Sequence, residues 1–418
     1  MLEYKGYQVK HVMNITDVGH LTGDNLGDAD LGEDRMEKSA KLQGKSAWDL
    51  ASLYTEAFFK DSERLNILRP HVVCRATDHI ADQIALVQKL EERGFTYRAS
   101  DGIYFDTSRF SEYGVLAGQA REEKRAGARV EVNPDKRHPA DFALWRFSPM
   151  KGAQRRQMEW ESPWGTGFPG WHIECSAMST KYLGQPFDIH CGGVDHIAIH
   201  HTNEIAQSEA AEGRKMTNFW LHGEFMAVGG RRMGKSEGNA YRVDDVIAKN
   251  FDPLAFRYLC LNTHYRTKLN FTWEAMEAAQ TALDRLREHI RSYKDAGMEG
   301  KAGAVPSERR EAFLDAINDD LNAPAALGVV WELIRSEGSP EDKLATLEDF
   351  DRVLGLKLAE IEAKPIEIPR EVQQLIVQRE LLRVQRAWKQ ADEIREAVQQ
   401  MGYEIEDTAK GTRIKKYP

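Results

Sequence analysis

Cysteine is scarce in this chain: Cys74, Cys175, Cys191 and Cys260 are the only four in 418 residues. That count excludes a disulfide framework and points to a reducing compartment, the cytoplasm. Long apolar runs are missing as well. No stretch can span a bilayer, and the first residues do not form a secretory signal, so no membrane role is expected. Internal repeats and low-complexity segments are absent. There is no excess of positive charge either: Lys and Arg number 57 against 66 Asp and Glu, a net charge of −9. This argues against indiscriminate nucleic-acid binding, while a local basic surface stays open. What is present is ordinary for a folded protein, 41% apolar and 29% charged, with length for two or three domains.

The order of patterns predicts an α/β half followed by a helical half. Tyr7–Met13 alternates like a strand, and helical spacing follows over Ala47–Leu65 and over Arg75–Gly94, with Gly94 as a C-terminal stop. Residues from about Phe95 to Phe147 are rich in strand and turn signals, with charge runs at Arg121–Arg129 and Asp135–His138, and read as an insertion. Apolar segments at Phe187–Ile189 and Phe219–Val228 then alternate with helical stretches at His200–Glu212 and Val243–Asn250, as in a mostly parallel sheet. Beyond Asp252 the spacing is helical: Glu274–Asp295, Arg309–Asp319, Ala323–Arg335 and Asp342–Leu354. Asn322 with Pro324 marks a helix start. Glu360–Pro369 reads as a linker, Glu371–Met401 as one long helix, and Lys410–Lys416 as a basic tail. Mixed charge on that helix fits a solvated face as well as it fits RNA phosphates.

Chemistry concentrates between Trp171 and Asn239. His200 and Glu204 are four residues apart, so a helix sets them on one face, and Cys175 can add a sulfur. Sulfur, imidazole nitrogen and carboxylate oxygen are zinc donors, and three of them leave a fourth position free. Cys191 competes for the sulfur role, and a buried Cys beside an ordinary helix pair is the plainer alternative. Gly192-Gly193 with Asp195 allows a backbone to lie against a nucleotide while a carboxylate accepts from ribose. Each glycine pair alone fits a turn equally well. Lys235-Ser236, bounded by Gly234 and Gly238, can set an ammonium against polyphosphate, although the spacing is not that of a P-loop.

Taken together, these stretches resemble the cysteinyl-tRNA synthetases, class I aminoacyl-tRNA ligases, from end to end. Asn14-Ile15-Thr16-Asp17, Ser162-Pro163-Trp164-Gly165, Pro169–Met178, Phe187–His190 and His200–Gln207 carry the resemblance in the first half. His264-Tyr265-Arg266, Leu269-Asn270-Phe271, Asp319–Pro324, Ala391–Arg395 and Glu406–Thr408 carry it in the second. It implies ATP-dependent activation of L-cysteine and transfer to the 3′ end of tRNA(Cys), with ATP used alongside Mg²⁺, by a cytoplasmic monomer. It also implies one zinc per chain held by Cys175, His200 and Glu204, and cysteine contacts from Thr16, Trp171 and His190. Gly192, Gly193, Asp195 and Lys235 fall on the ATP site, and Arg232, Lys235 and Ser236 on the catalytic loop.

The fold implied is a Rossmann-type catalytic core over 1–250, with its insertion at about 95–147. A stem-contact helical region over 251–300, a DALR-like bundle over 301–362 and an anticodon-binding helix with basic tail over 363–418 follow. Two departures accompany the resemblance. The family's Lys-Met-Ser-Lys-Ser loop reads Arg232-Met233-Gly234-Lys235-Ser236. The family's N-terminal segment, with its first strand, a fourth zinc-ligand cysteine and the His-Ile-Gly-His signature for ATP, precedes the position matched by Met1. The sheet is therefore expected to be N-terminally incomplete and these residues alone to fall short as a ligase. A non-catalytic tRNA-binding paralogue and a cysteine ligase acting on a small amine are the competing readings.

Overall fold

The computed structural model describes residues 1–19, 21–22, 33–118, 135–148, 156–234, 237–298, 303–363, 368–408 and 411–416. Strand β1 (Val12–Ile15) is followed by a short antiparallel pair, β2 (Leu21–Thr22) with β3 (Glu33–Asp34), and by helices α1 (Arg35–Gln43) and α2 (Ala47–Arg64). Ser46 caps α2 in a reciprocal box with Asp49. β4 (Val72–Arg75) returns parallel to β1, with Val12 opposite Val72 and Ile15 opposite Arg75, and leads to α3 (Ile80–Glu92).

Four antiparallel strands come next: β5 (Thr96–Arg98), β6 (Gly102–Phe105), β7 (Phe142–Phe147) and β8 (Gly167–Pro169). Helix α4 (Trp171–Leu183) leaves β8 directly, and then β9 (Phe187–Gly193), α5 (Val194–Ala198), α6 (His200–Glu212) and β10 (Thr217–Gly223) follow. β10 is parallel to β9, with Trp220 opposite His190 and His222 opposite Gly192. Among the described residues β1 pairs only with β4, and β9 only with β10, so the parallel strands form two separate pairs. Both pairs are parallel and flanked by helices, as expected of the α/β half.

A small sheet joins β11 (Met226–Val228) to β12 (Arg231–Arg232) and to the later β13 (Leu269–Phe271). Helices α7 (Val243–Ala248), α8 (Pro253–Leu261), α9 (Trp273–Asp295), α10 (Ser307–Asn318), α11 (Ala323–Arg335) and α12 (Pro340–Leu354) build the helical half. Asn322 accepts from the Ala325 amide with Pro324 in the first turn, as the sequence predicted. Helices α8 to α12 share one core, with Leu259, Leu286, Phe313, Leu327 and Phe350 in it; Tyr4 packs there too. A second core, around Leu86, Phe105, Trp145, Ile173 and Ala206, belongs to the α/β half.

Several local expectations change. The first strand begins at Val12 rather than Tyr7, because only Val12–Ile15 finds a partner. The helix expected from Arg75 starts at Ile80, since Val72–Arg75 is strand and Ala76–His79 a 3-10 turn; Gly94, at φ 75°, lies just past its end as predicted. Phe219–Val228 is two strands in two sheets, divided after Gly223. The antiparallel sheet continues past Phe147 into β8. The long C-terminal helix is broken into α13 (Arg370–Val384) and α14 (Trp388–Gln400), with Arg386 at φ 62° between them. The expected basic tail is the second strand of a hairpin, β14 (Tyr403–Thr408) with β15 (Gly411–Lys416). The charge run at 121–129 lies outside the described residues.

Candidate metal centre and active site

Close backbone contact fixes where α4 begins. Gly170, its N-cap, has no room for a side chain: a Cβ there would lie 2.0 Å from the Ala143 carbonyl oxygen on β7. The insertion sheet thus sets the start of the helix that carries Cys175. Helix α6 is buried on almost every side although it carries His200, His201, Thr202, Asn203, Glu204, Gln207 and Ser208. Burying so many polar groups costs stability unless each finds a partner. Many do. Gln207 donates to the Ser176 hydroxyl at 2.7 Å and to the His172 carbonyl, tying α6 to α4. Asn203 accepts from the Tyr113 hydroxyl at 2.6 Å.

Cys175, His200 and Glu204 converge. One ligand atom from each lies within 4.8 Å of the other two. Glu204 is fully buried, and its Oε1 sits 2.8 Å from His200 Nε2 while Oε2 sits 3.2 Å from His190 Nε2. A buried carboxylate aimed at two imidazoles and a sulfur is a site that wants a cation. The Cys175 thiol is pushed well up by burial and then by the charges of Glu204 and Glu174, so positive charge is needed to hold it as thiolate. Burial alone raises Glu204, yet the His190 and His200 rings outweigh it and keep the acid well below its ordinary range. Sulfur, nitrogen and oxygen donors with a net demand for positive charge fit zinc. Cys191 is exposed and belongs to neither three-residue ligand group among the described residues.

A second layer surrounds these ligands. His172 Nδ1 lies 2.9 Å from His200 Nδ1, and His200 Nε2 is turned toward Glu204. Asn14, on β1, donates to Cys175 Sγ at 3.4 Å and to the Thr16 hydroxyl at 3.2 Å, which brings Thr16 beside the sulfur. The Trp171 ring lies 4.5 Å from that of His200. His190, His201, His222 and Trp220 form a wall: His201 lies 4.7 Å from His190 and 4.8 Å from Trp220, ring to ring, and its Nδ1 is 2.8 Å from His222 Nε2. Burial lowers His201 to about 3, with Glu204 opposing and His190 and His200 reinforcing, so this ring is neutral. Burial opposes a charge on His190, but the Glu204 carboxylate outweighs it and moves that ring up.

The nucleotide candidates stand at the C-terminal end of β9, where open α/β sheets place their ligands. Gly192 must be glycine: a Cβ would lie 2.5 Å from His201 Cε1 and 2.8 Å from His196 Nδ1. Gly193 caps α5, whose first turn holds Asp195. Arg232 is exposed on β12, and Lys235 and Ser236 lie outside the described residues. The structure therefore gathers Thr16, Trp171, Cys175, His190, Gly192, His200 and Glu204 around one place. His172, Asn14, Trp220 and His222 were missed from sequence. Trp220 and His222 had a signal, since they alternate along a strand and so share a face; His172 and Asn14 depend on contacts distant in sequence.

A parallel strand pair ending in a Gly-Gly turn, candidate metal ligands on the neighbouring helices α4 and α6, and a helical bundle beyond them fit a class I aminoacyl-tRNA synthetase fold. Two solved structures of Mycobacterium tuberculosis methionyl-tRNA synthetase with methionyl-adenylate share the fold. One, 16% identical, has a TM-score of 0.51 and covers 77% of this chain and 79% of its own. The other, also 16% identical, has a TM-score of 0.53 and covers 85% and 83%. Residues 1–281 match the tRNA synthetases class I (C) catalytic domain, and residues 312–359 match the DALR domain. Cysteine–tRNA ligase 1 of Burkholderia lata is 51% identical over 415 residues, covering 99% of this chain and 86% of the relative. Cysteine–tRNA ligase of Treponema denticola is 44% identical over 443 residues, covering 99% and 89%. The chain belongs to the cysteine–tRNA ligase family. No helix among the described residues is long and apolar enough to cross a membrane.

Proposed function

We propose that this chain is a cysteine–tRNA ligase that works as a cytoplasmic monomer with one zinc per chain. In the first step the carboxylate of L-cysteine attacks the α-phosphorus of ATP, giving cysteinyl-adenylate and releasing pyrophosphate. In the second, the terminal hydroxyl of tRNA(Cys) attacks the adenylate carbonyl and AMP leaves. The observation that carries this reading is the convergence of Cys175, His200 and Glu204 beside Thr16, Trp171 and His190, at the strand end that bears Gly192, Gly193 and Asp195.

Cys175, His200 and Glu204 would hold the zinc, which would supply a soft Lewis acid for a thiolate and so favour cysteine over serine. Thr16, Trp171 and His190 enclose the amino acid, and the neutral His201 backs His190 without adding charge. Gly192 and Gly193 let ATP approach the backbone while Asp195 accepts from its ribose. Arg232, Lys235 and Ser236 steady the phosphates, with Mg²⁺ as the nucleotide's counter-ion. These residues bind, orient and stabilise charge; none forms a covalent bond. The hairpin and α14 face the anticodon end of the tRNA, which a small amine acceptor would not require.

Cysteine-dependent ATP–pyrophosphate exchange by the 418-residue chain, with zinc present, tests the first step. Exchange with cysteine and not serine, followed by charging of a tRNA(Cys) transcript, is the outcome that supports the ligase reading. A chain that binds zinc and cysteine without exchanging pyrophosphate is the non-catalytic paralogue, or meets the sequence expectation that these residues alone fall short as a ligase. Exchange without charging favours the small-amine ligase.

A further inference from the structure

We propose that Asn239 is a positioning residue that latches the two stems of the Lys-Ser loop together. Its side chain is 6% exposed and makes two hydrogen bonds across the loop. Oδ1 accepts from the Gly234 amide at 2.9 Å, and Nδ2 donates to the Arg232 carbonyl at 3.0 Å. A carboxamide offering one acceptor and one donor to groups two residues apart on a strand reproduces a rung of a β-ladder. The rung stands where β12 has ended and no further strand is at hand.

Both stems are tied to the helical core. Met233 packs against that core on the incoming side. On the outgoing side the Tyr241 ring lies 5.0 Å from Trp273 and 5.8 Å from Phe271. Before the loop, the Gly230 amide donates to Asn270 Oδ1 at 2.7 Å, which anchors the β11–β12 turn to β13. Between those anchors the Glu237 amide bonds to the Gly234 carbonyl at 3.1 Å, and Asn239 supplies the other cross-links. Removing its amide leaves Gly234 and Arg232 without that partner and frees the stem that leads to the phosphate-binding lysine. The inference rests on reading this loop as the phosphate clamp of the ligase, and it assigns the clamp's geometry to a residue outside the Lys-Ser pair.

The test compares the unaltered chain with N239A and N239D in cysteine-dependent pyrophosphate exchange, with zinc content and amide hydrogen exchange at Gly234 measured on each. N239D keeps the acceptor for Gly234 and loses the donor to Arg232. A latch predicts kcat lower by about 10- to 100-fold in N239A and by less in N239D, the strength of one or two hydrogen bonds. Cysteine KM and zinc content stay within about twofold, because Asn239 bonds to Gly234 and Arg232 and belongs to neither candidate ligand group among the described residues. The Gly234 amide exchanges about tenfold faster in N239A. An unchanged kcat, an unchanged Gly234 exchange rate, or parallel loss of zinc and cysteine affinity overturns the proposal. If the unaltered chain shows no pyrophosphate exchange, the ligase reading fails, and the Gly234 amide alone decides the latch: protection lost in N239A supports it and protection kept overturns it.

Discussion

Replacing Glu204 by glutamine keeps the side chain's shape and removes the one full charge buried between His190 and His200. Structural zinc sites bind with about 10–16 kcal/mol over four ligand positions, or roughly 2.5–4 kcal/mol for each. Glu204→Gln is therefore expected to weaken zinc by about a hundred- to a thousandfold. Without metal the balance differs. The buried carboxylate pays a large desolvation cost that its two imidazole contacts repay, and glutamine removes both sides of that exchange. His190, which Glu204 moves up, loses that cause of charging together with the carboxylate, so metal-free stability is expected to change by less than about 1 kcal/mol. Chelator competition gives the zinc affinity, and thermal unfolding with and without EDTA gives the two stabilities. Wild-type zinc affinity in the variant, or equal destabilisation in both conditions, refutes the reasoning.

Cys175→Ala is expected to lose zinc while Cys191→Ala keeps it, as read by metal analysis after dialysis; the reverse pattern moves the sulfur ligand to Cys191. Gly192→Ala drives a methyl group toward His201 and His196 and should cost about 1–3 kcal/mol of stability along with cysteine activation. Thermal unfolding and pyrophosphate exchange measure both, and an equally stable, active variant contradicts the tight packing. In the C-terminal hairpin, Asp407 is held down to about 2, first by hydrogen bonding to Arg379 and also by Arg383. Its folded value lies below the ordinary 3.8 of a free aspartate, so its stabilisation is present above that pH and is lost as pH falls toward 2. Because the group is part-exposed, Asp407→Asn should cost no more than about 1 kcal/mol at neutral pH, and the difference should vanish in acid. A constant difference across that window in pH-dependent unfolding removes Arg379–Asp407 as its source.

Where local chemistry decides structure, the sequence was readable. Asn322 and Pro324 start α11 as expected, and Gly94 takes the left-handed backbone just beyond α3. The convergence of the candidate trio has a related source: His200 and Glu204 share a helix face by spacing alone, and only Cys175 had to come from elsewhere. The break between α13 and α14 was not readable, because the turn at Arg386 uses neither proline nor glycine. The hairpin was hidden because its apolar signal is short, Tyr403 and Ile405 on one strand and Ile414 on the other, inside a charged stretch. Nothing nearby in sequence marks His172 or Asn14 as neighbours of the ligands; Asn14 reaches Cys175 across 161 positions, a contact set by packing β1 against α4. Asn239 likewise shows its role only once both loop stems are placed.

The most direct measurement is X-ray absorption at the zinc edge of the loaded chain, before and after cysteine is added. Sulfur scattering at about 2.3 Å together with nitrogen or oxygen neighbours is predicted at first. One further sulfur should appear with cysteine and none with serine. A zinc shell that cysteine leaves unchanged, or that contains no sulfur in the free chain, contradicts recognition of the thiol at Cys175, His200 and Glu204.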